Sequence, residues 1–193
     1  MRRALLWWMS GILLVTGSSL APARDNDVYL SGPAFPVAGL KFTVPSRWQS
    51  EPALSPFRIG QWRVPLAHGM EGEGGEVVAF YFGPGTGGTA KENIEGWIGT
   101  MLNAEGHPAA AEVKHHETGG FKISQVVIFG TYNETIPSAG VPPVAKPNHG
   151  LLGAVIETPQ GNIYWRFTGP EPLITANLPL FNKVIDSLKP QGK

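Results

Sequence analysis

The chain reads as an α+β fold: a single domain in which a mainly antiparallel β-sheet is covered by two main helices. Three observations carry that expectation. Strand-like segments follow one another directly in sequence, so neighbours can pair through short connections. Only two helical patterns interrupt them, too few to supply the crossovers of a parallel sheet. A length of 193 residues, with 42% hydrophobic and 16% charged residues, suits one core rather than two.

The first 23 residues stand outside that domain. Arg2 and Arg3 precede an apolar run from Ala4 to Val15, and small residues follow up to Ala21-Pro22-Ala23. This is the layout of a signal peptide at 1–23, cleaved after Ala23 to leave Arg24 as the mature N-terminus. The arginine pair sits at the extreme terminus, which favours the general secretory route over twin-arginine export. Spanning a bilayer takes about 20 apolar residues, so no transmembrane anchor is expected once the signal is removed. The expected location is therefore periplasmic or secreted.

Residues 24–39, with Pro33 and Pro36, read as an extended lead-in, in which Val28-Tyr29-Leu30 is a possible edge strand. The globular domain is expected over 40–189. Leu40, Phe42 and Val44 alternate with Lys41 and Thr43, the period of a half-buried strand ended by Pro45. Arg58 to Val64 is a second strand, whose apolar phase slips between Ile59 and Trp62 and predicts a bulge near Gly60. Val77 to Phe82 is apolar on both faces and so belongs inside a sheet. Thr89 and Glu92 form a capping-box pattern before Ile94, Trp97, Ile98, Met101 and Leu102, which recur at helical spacing.

Three or four strands follow, at Ala111 to His116, Phe121 to Tyr132, Leu151 to Glu157 and Asn162 to Thr168. Thr158-Pro159-Gln160-Gly161 predicts a turn that joins the last two as an antiparallel hairpin. Between them Asn133 to Gly150 carries Pro137, Pro142, Pro143 and Pro147 and reads as a long loop. A second capping-box pattern, Thr168 with Glu171, opens a terminal helix marked by Ile174, Leu178, Phe181, Ile185 and Leu188. Pro179 predicts a kink or a restart capped by Asn177. Pro190 ends the helix, and 190–193 is a tail.

Phe80 to Gly88, with Asn93 and Trp97 after it, and Phe167-Thr168-Gly169-Pro170, with Phe181 and Ser187-Leu188, resemble a group of bacterial exported proteins without an assigned activity. The order of elements is similar to the Mog1/PsbP-like fold, an antiparallel sheet sandwiched by helices. The resemblance covers roughly Leu40 to Leu188. Members of that fold include a photosystem accessory subunit and a binder of a small GTPase, which implies a non-catalytic interaction role. No motif maps their functional residues onto this chain.

The chemistry-bearing motifs are sparse. The chain has no cysteine, which excludes thiol catalysis, disulfides and thiolate metal sites. Its 15 basic residues less Arg2 and Arg3 leave 13 against 15 acidic ones, a formal charge of −2 on the mature chain. No basic patch recruits nucleic acid. Gly83, Gly85 and Gly88 spell G-x-G-x-x-G between a strand and a helix, where a dinucleotide fingerprint belongs. That fingerprint also requires a parallel βαβ unit with an acidic residue ending the second strand, and Glu105 lies instead in the helix exit, so a tight connection is the better reading. Anion binding at the Thr89 amide is a minor alternative.

His115 and His116 point to opposite faces of a strand, so only His115 and Glu117 are placed to share an ion, and two ligands do not make a site. His68, His107 and His149 are scattered over loops. Glu71, Glu73 and Glu76 alternate with glycines and read as a solvated turn. No serine lies in a nucleophile elbow. Trp97 and Trp165 are expected in the core, and burial is also the expectation for Trp48 and Trp62. Asn133-Glu134-Thr135 is a glycosylation sequon, relevant in a eukaryotic host. No catalytic, cofactor-binding or metal residue is assigned. The leading expectation is a non-enzymatic exported accessory or interaction protein with an extracytoplasmic protein partner. The alternative is a small-ligand-binding or hydrolytic protein using the 83–89 and 133–150 loops.

Overall fold

Alternating apolar residues become paired strands in the computed structural model of the chain, which describes residue 30 and residues 32–66, 72–134 and 142–191. The signal segment, Val28-Tyr29, His68, Glu71 and Thr135 lie outside the described residues. The main sheet is built from β3 (Gln49–Ser50), β4 (Arg58–Val64), β5 (Gly75–Tyr81), β10 (Ile163–Pro170), β9 (Val144–Glu157), β8 (Phe121–Glu134) and β6 (Met101–Leu102), in that spatial order. An eighth strand, β7 (Ala111–Thr118), also pairs with β8. Every pairing is antiparallel. The two helices are α1 (Ala90–Gly99) and α2 (Glu171–Asp186).

Strand alternation gives the sheet two chemically different faces. On the first, Val77 and Ala79 of β5, Ile163, Trp165 and Phe167 of β10, and Leu152, Ala154 and Ile156 of β9 are fully buried. They pack under α2 through Leu173, Ile174, Phe181 and Ile185, and under a small three-stranded sheet, β1 (Ala34–Val37), β2 (Leu40–Thr43) and β11 (Lys189–Pro190). Trp62 and Trp165 stack 5.4 Å apart at 10°, with Phe42 against Trp165 at 5.3 Å. On the second face, α1 sets Ile94 and Trp97 over Val126, Ile128 and Leu151.

Several elements arrive as their residues imply. Thr89 caps α1 with both reciprocal bonds of the capping box. The register of β4 against β5 shifts between Arg58 and Gly60, the expected bulge. Trp48, Trp62 and Trp165 are all buried. The Thr158 to Gly161 turn closes with Gly161 N–H donating to Thr158 O at 3.1 Å.

Other expectations are corrected. The lead-in contains β1, joined to β2 by Ala38 and Gly39 at φ 48° and 75°, the two left-handed residues of a tight hairpin turn. Met101 and Leu102, expected on the first helix, bridge instead to Tyr132 and Thr131 of β8. Thr168 caps nothing: it sits buried in β10, opposite Glu76 and Leu151, and the residue before α2 is Pro170. Nor does Pro179 restart the helix, which runs unbroken from Glu171 to Asp186. Asn177 is buried in it, donating to Leu173 O at 2.8 Å and accepting from Arg47 Nη2 at 2.6 Å. The donor missing at Pro179 falls on the exposed side of the helix, where Thr175 and Pro179 are both exposed. Much of the expected 133–150 loop is strand, since β8 runs to Glu134 and β9 begins at Val144. Pro190, expected to begin a tail, continues with Lys189 as a strand paired with β2.

Candidate functional site

The glycine-rich connection after β5 is a structural corner. Gly83, Gly85, Gly87 and Gly88 all have positive φ, between 70° and 96°, which explains their residue type without a ligand. Its carbonyls are tied down. Tyr164 Oη and Asn162 Nδ2 donate to Gly88 O at 2.8 and 3.2 Å, and Asn93 Nδ2 donates to Gly87 O at 2.8 Å. The Thr89 amide considered for anion binding already donates to Glu92 Oε2 at 2.8 Å. That bond, with a second from the Thr89 hydroxyl, holds the Glu92 carboxyl below its ordinary range. The helix N-terminus thus carries its own carboxylate. Burial holds the Tyr164 phenol above its usual range, consistent with its role as a donor inside this corner.

The remaining titratable groups are dispersed by the sheet. His115 Nδ1 lies 2.9 Å from Ser124 Oγ, whereas His116 Nε2 lies 3.5 Å from Asp186 Oδ1 on α2, on the opposite face as the alternation requires. His107 lies in the α1 exit and His149 Nδ1 sits against Pro147 O at 2.8 Å. Among the described residues, no three histidine, aspartate or glutamate side chains converge on one point. Glu73 pairs with Lys146 Nζ at 3.3 Å, while Glu76, expected in a solvated turn, is a strand residue.

The described parts of the two loops of the small-ligand alternative lie at opposite ends of the main sheet. Residues 83–89 adjoin the β9–β10 turn, together lining a shallow depression. The described residues 142–150 adjoin Gly75 and Gly169 at the other end. There a cleft of about 490 Å³ is lined by Glu73, Glu76, Tyr132, Lys146, His149 and Thr168, among others. Its charges are already matched, Lys146 with Glu73 and Arg63 with Glu51 at 2.7 Å.

The sequence offered no direct signal for the surface that the second sheet face creates over β4, β5 and β10. Here α1 lies over β8 and β9, leaving this half without a helix among the described residues. Glu76, Phe80 and Phe82 fall on it from β5 and its extension, Arg166 from β10 and Arg58 from β4. Both guanidinium carbons sit over the Phe80 ring, Arg58 at 5.7 Å and Arg166 at 5.5 Å from its centroid. Glu76 lies between them, 2.9 Å from Arg58 Nη1 and 4.0 Å from Arg166 Nη2. Phe80 and Phe82 are parallel at 6.2 Å, and Phe57 joins the row 5.2 Å from Phe82. Phe57 is 51% exposed, Phe82 36% and nearby Leu54 74%. The β4–β5–β10 register creates this group, although Arg58 and Arg166 stand 108 positions apart in sequence.

Among the described residues no helix is long and apolar enough to cross a membrane. No family model and no curated protein matches the sequence. Two solved structures are similar to the fold. Cyanobacterial PsbP (CyanoP) from Synechocystis superposes with a TM-score of 0.51 at 15% identity, over 89% of this chain and 98% of its own. A protein of unknown function from Pseudomonas aeruginosa gives a TM-score of 0.45 at 9% identity, over 83% of this chain and 98% of its own. With its antiparallel sheets and two helices, the chain has the α+β fold that the residue pattern predicts, and its PsbP-like form is the one the resemblance implied.

Proposed function

We propose that this chain is a non-enzymatic exported accessory protein, and that its uncovered aromatic and arginine face binds an acidic segment carrying an aromatic side chain on an extracytoplasmic protein. The signal-like residues 1–23 motivate the export reading. The observation that carries the binding reading is the Phe57, Phe82, Phe80 row flanked by Arg58 and Arg166. Aromatic residues and arginine are the side chains enriched at the centres of protein interfaces. Two guanidiniums share the single Glu76 carboxylate, which leaves one positive charge for an incoming carboxylate. Phe57 and Phe82 offer exposed rings beside it for an aromatic partner.

The test is a photo-cross-linking residue placed at Phe57 in the native host, with the exposed α2 position Ala176 as control. A defined protein adduct is expected at Phe57 and not at Ala176, and it should disappear when Arg166→Glu is added. Equal adducts at both positions, or none at Phe57, would overturn the reading. Native mass spectrometry of the mature protein from that host provides a second check. A retained small ligand would shift the function to the cleft beside Lys146 and His149.

A further inference from the structure

The other margin of the sheet carries a different surface. β7 pairs with β8 through eight consecutive residues without a register shift, and no strand lies on its outer edge among the described residues. Residues 112–115 of this strand are exposed, and Val113, at 39%, is one of the few exposed large apolar residues. Regular edges of this kind template pairing with another strand, and proteins usually blunt them with charge, proline or a bulge. Here no proline or bulge interrupts the strand, and its central charges are Glu112 and Lys114, paired with each other at 2.9 Å while largely exposed.

We infer that β7 is a homodimerisation edge, pairing antiparallel with β7 of a second copy about a two-fold axis through Val113. In that register Val113 faces Val113, Ala111 faces His115, and Glu112 of each copy faces Lys114 of the other. The charges that blunt the edge against other strands become attractive, and the isolated valine is covered. Neighbouring two-fold registers lack this complementarity. An axis through Lys114 sets that lysine against itself, and one through Glu112 sets that glutamate against itself. The axis stands perpendicular to the sheet, so both copies of α1 fall on the same side. An open groove of about 540 Å³ between α1 and β7, lined by Ile94, Ile98, Val113 and His115, then faces its copy across the seam. A strand seam is small beside the roughly 800 Å² per partner of a standard interface, so the dimer is concentration-dependent. β7 lies across the sheet from the Phe57 and Arg166 surface, and this inference stands independently of it.

Sedimentation of the mature protein from about 10 µM to about 1 mM reads the equilibrium directly. The wild type is expected to pass from monomer to dimer across that range. Lys114→Glu alone and Glu112→Lys alone each set like charges face to face and should weaken self-association at least tenfold, the equivalent of about 1.4 kcal/mol. An equimolar mixture of those two variants restores opposite charges at both positions and should form the heterodimer, as the double variant should form a homodimer. Heterodimer formation also shows that both variants are folded. A wild type that stays monomeric at about 1 mM, a Lys114→Glu variant that dimerises like the wild type, or a mixture that fails to associate would each overturn the inference.

Discussion

The two faces of the main sheet bury their side chains by different means. Under α2 and the small sheet the face is apolar and aromatic, and it excludes polar groups so fully that Trp48 Nε1 and Trp165 Nε1 are buried without a hydrogen-bond partner among the described residues. The opposite face is helix-covered only beneath α1, although Val78 and Tyr164 are buried on it beyond the helix. Beyond the helix it is built from arginine, glutamate and phenylalanine, whose mutual contacts substitute for a covering layer. The first face buries the larger part of the apolar core, and the second leaves Phe57 and Phe82 exposed.

That contrast predicts a graded series of substitutions. Trp165→Ala should cost about 3–5 kcal/mol in denaturant unfolding, because it opens a cavity among Trp62, Phe42 and Phe35. Trp165→Phe should cost clearly less, since the indole N–H it removes satisfies no partner. Equal losses for the two would mean that the N–H is bonded after all.

Gly153→Ala probes the helix-covered half of the second face. A Cβ at this position would run into the Trp97 ring, so a cost of about 1–3 kcal/mol is expected. Adding Trp97→Ala should relieve part of the Gly153→Ala penalty, and a double-mutant cycle with no coupling would separate the two residues.

On the open half, Phe57→Ser should change unfolding free energy by no more than about 1 kcal/mol, while a cross-linking residue placed instead at the exposed Leu54 should lose its adduct once Phe57→Ser is added. A large stability loss would place Phe57 in the core's support rather than in a binding surface.

The smallest effect concerns pH. The Glu92 carboxyl is held below its ordinary value of 4.5 in the folded chain by its bonds from Thr89. Its contribution is therefore complete above that value and is lost as pH falls through the lower folded value. Melting temperatures followed from pH 7 to pH 3 should show an acid-dependent component that Glu92→Gln lacks. Identical acid limbs would remove the capping carboxylate from the account.

How much of this was legible in the residues depended on whether a signal was local. The Thr89 and Glu92 box, the Gly60 bulge and the Thr158 to Gly161 turn each join residues within a few positions, and each formed as expected. Thr168 and Glu171 carried the same local signal as Thr89 and Glu92, yet pairing of Thr168 with both Glu76 and Leu151 extends β10 to Pro170 and leaves no cap to make. Pro147 argued against a strand for similar reasons. It lies beside the register shift between Gly130 and Tyr132, where the ladder is interrupted and a missing donor costs little. The aromatic and arginine surface had no local signal, because Arg58, Glu76, Phe80 and Arg166 meet only through the pairing of three strands.

The sequence alone determined the α+β class, the antiparallel bias and the aromatic core, since these follow from periodicity and composition acting over a few residues at a time. Only the tertiary structure decided which residues share a face, that the lead-in and Pro190 join β2 as a second sheet, and that the described parts of the two candidate loops lie apart. Strand order and register are properties of pairings between distant segments, and one residue of slip in any of them would turn Arg166 or Phe80 to the other side of the sheet.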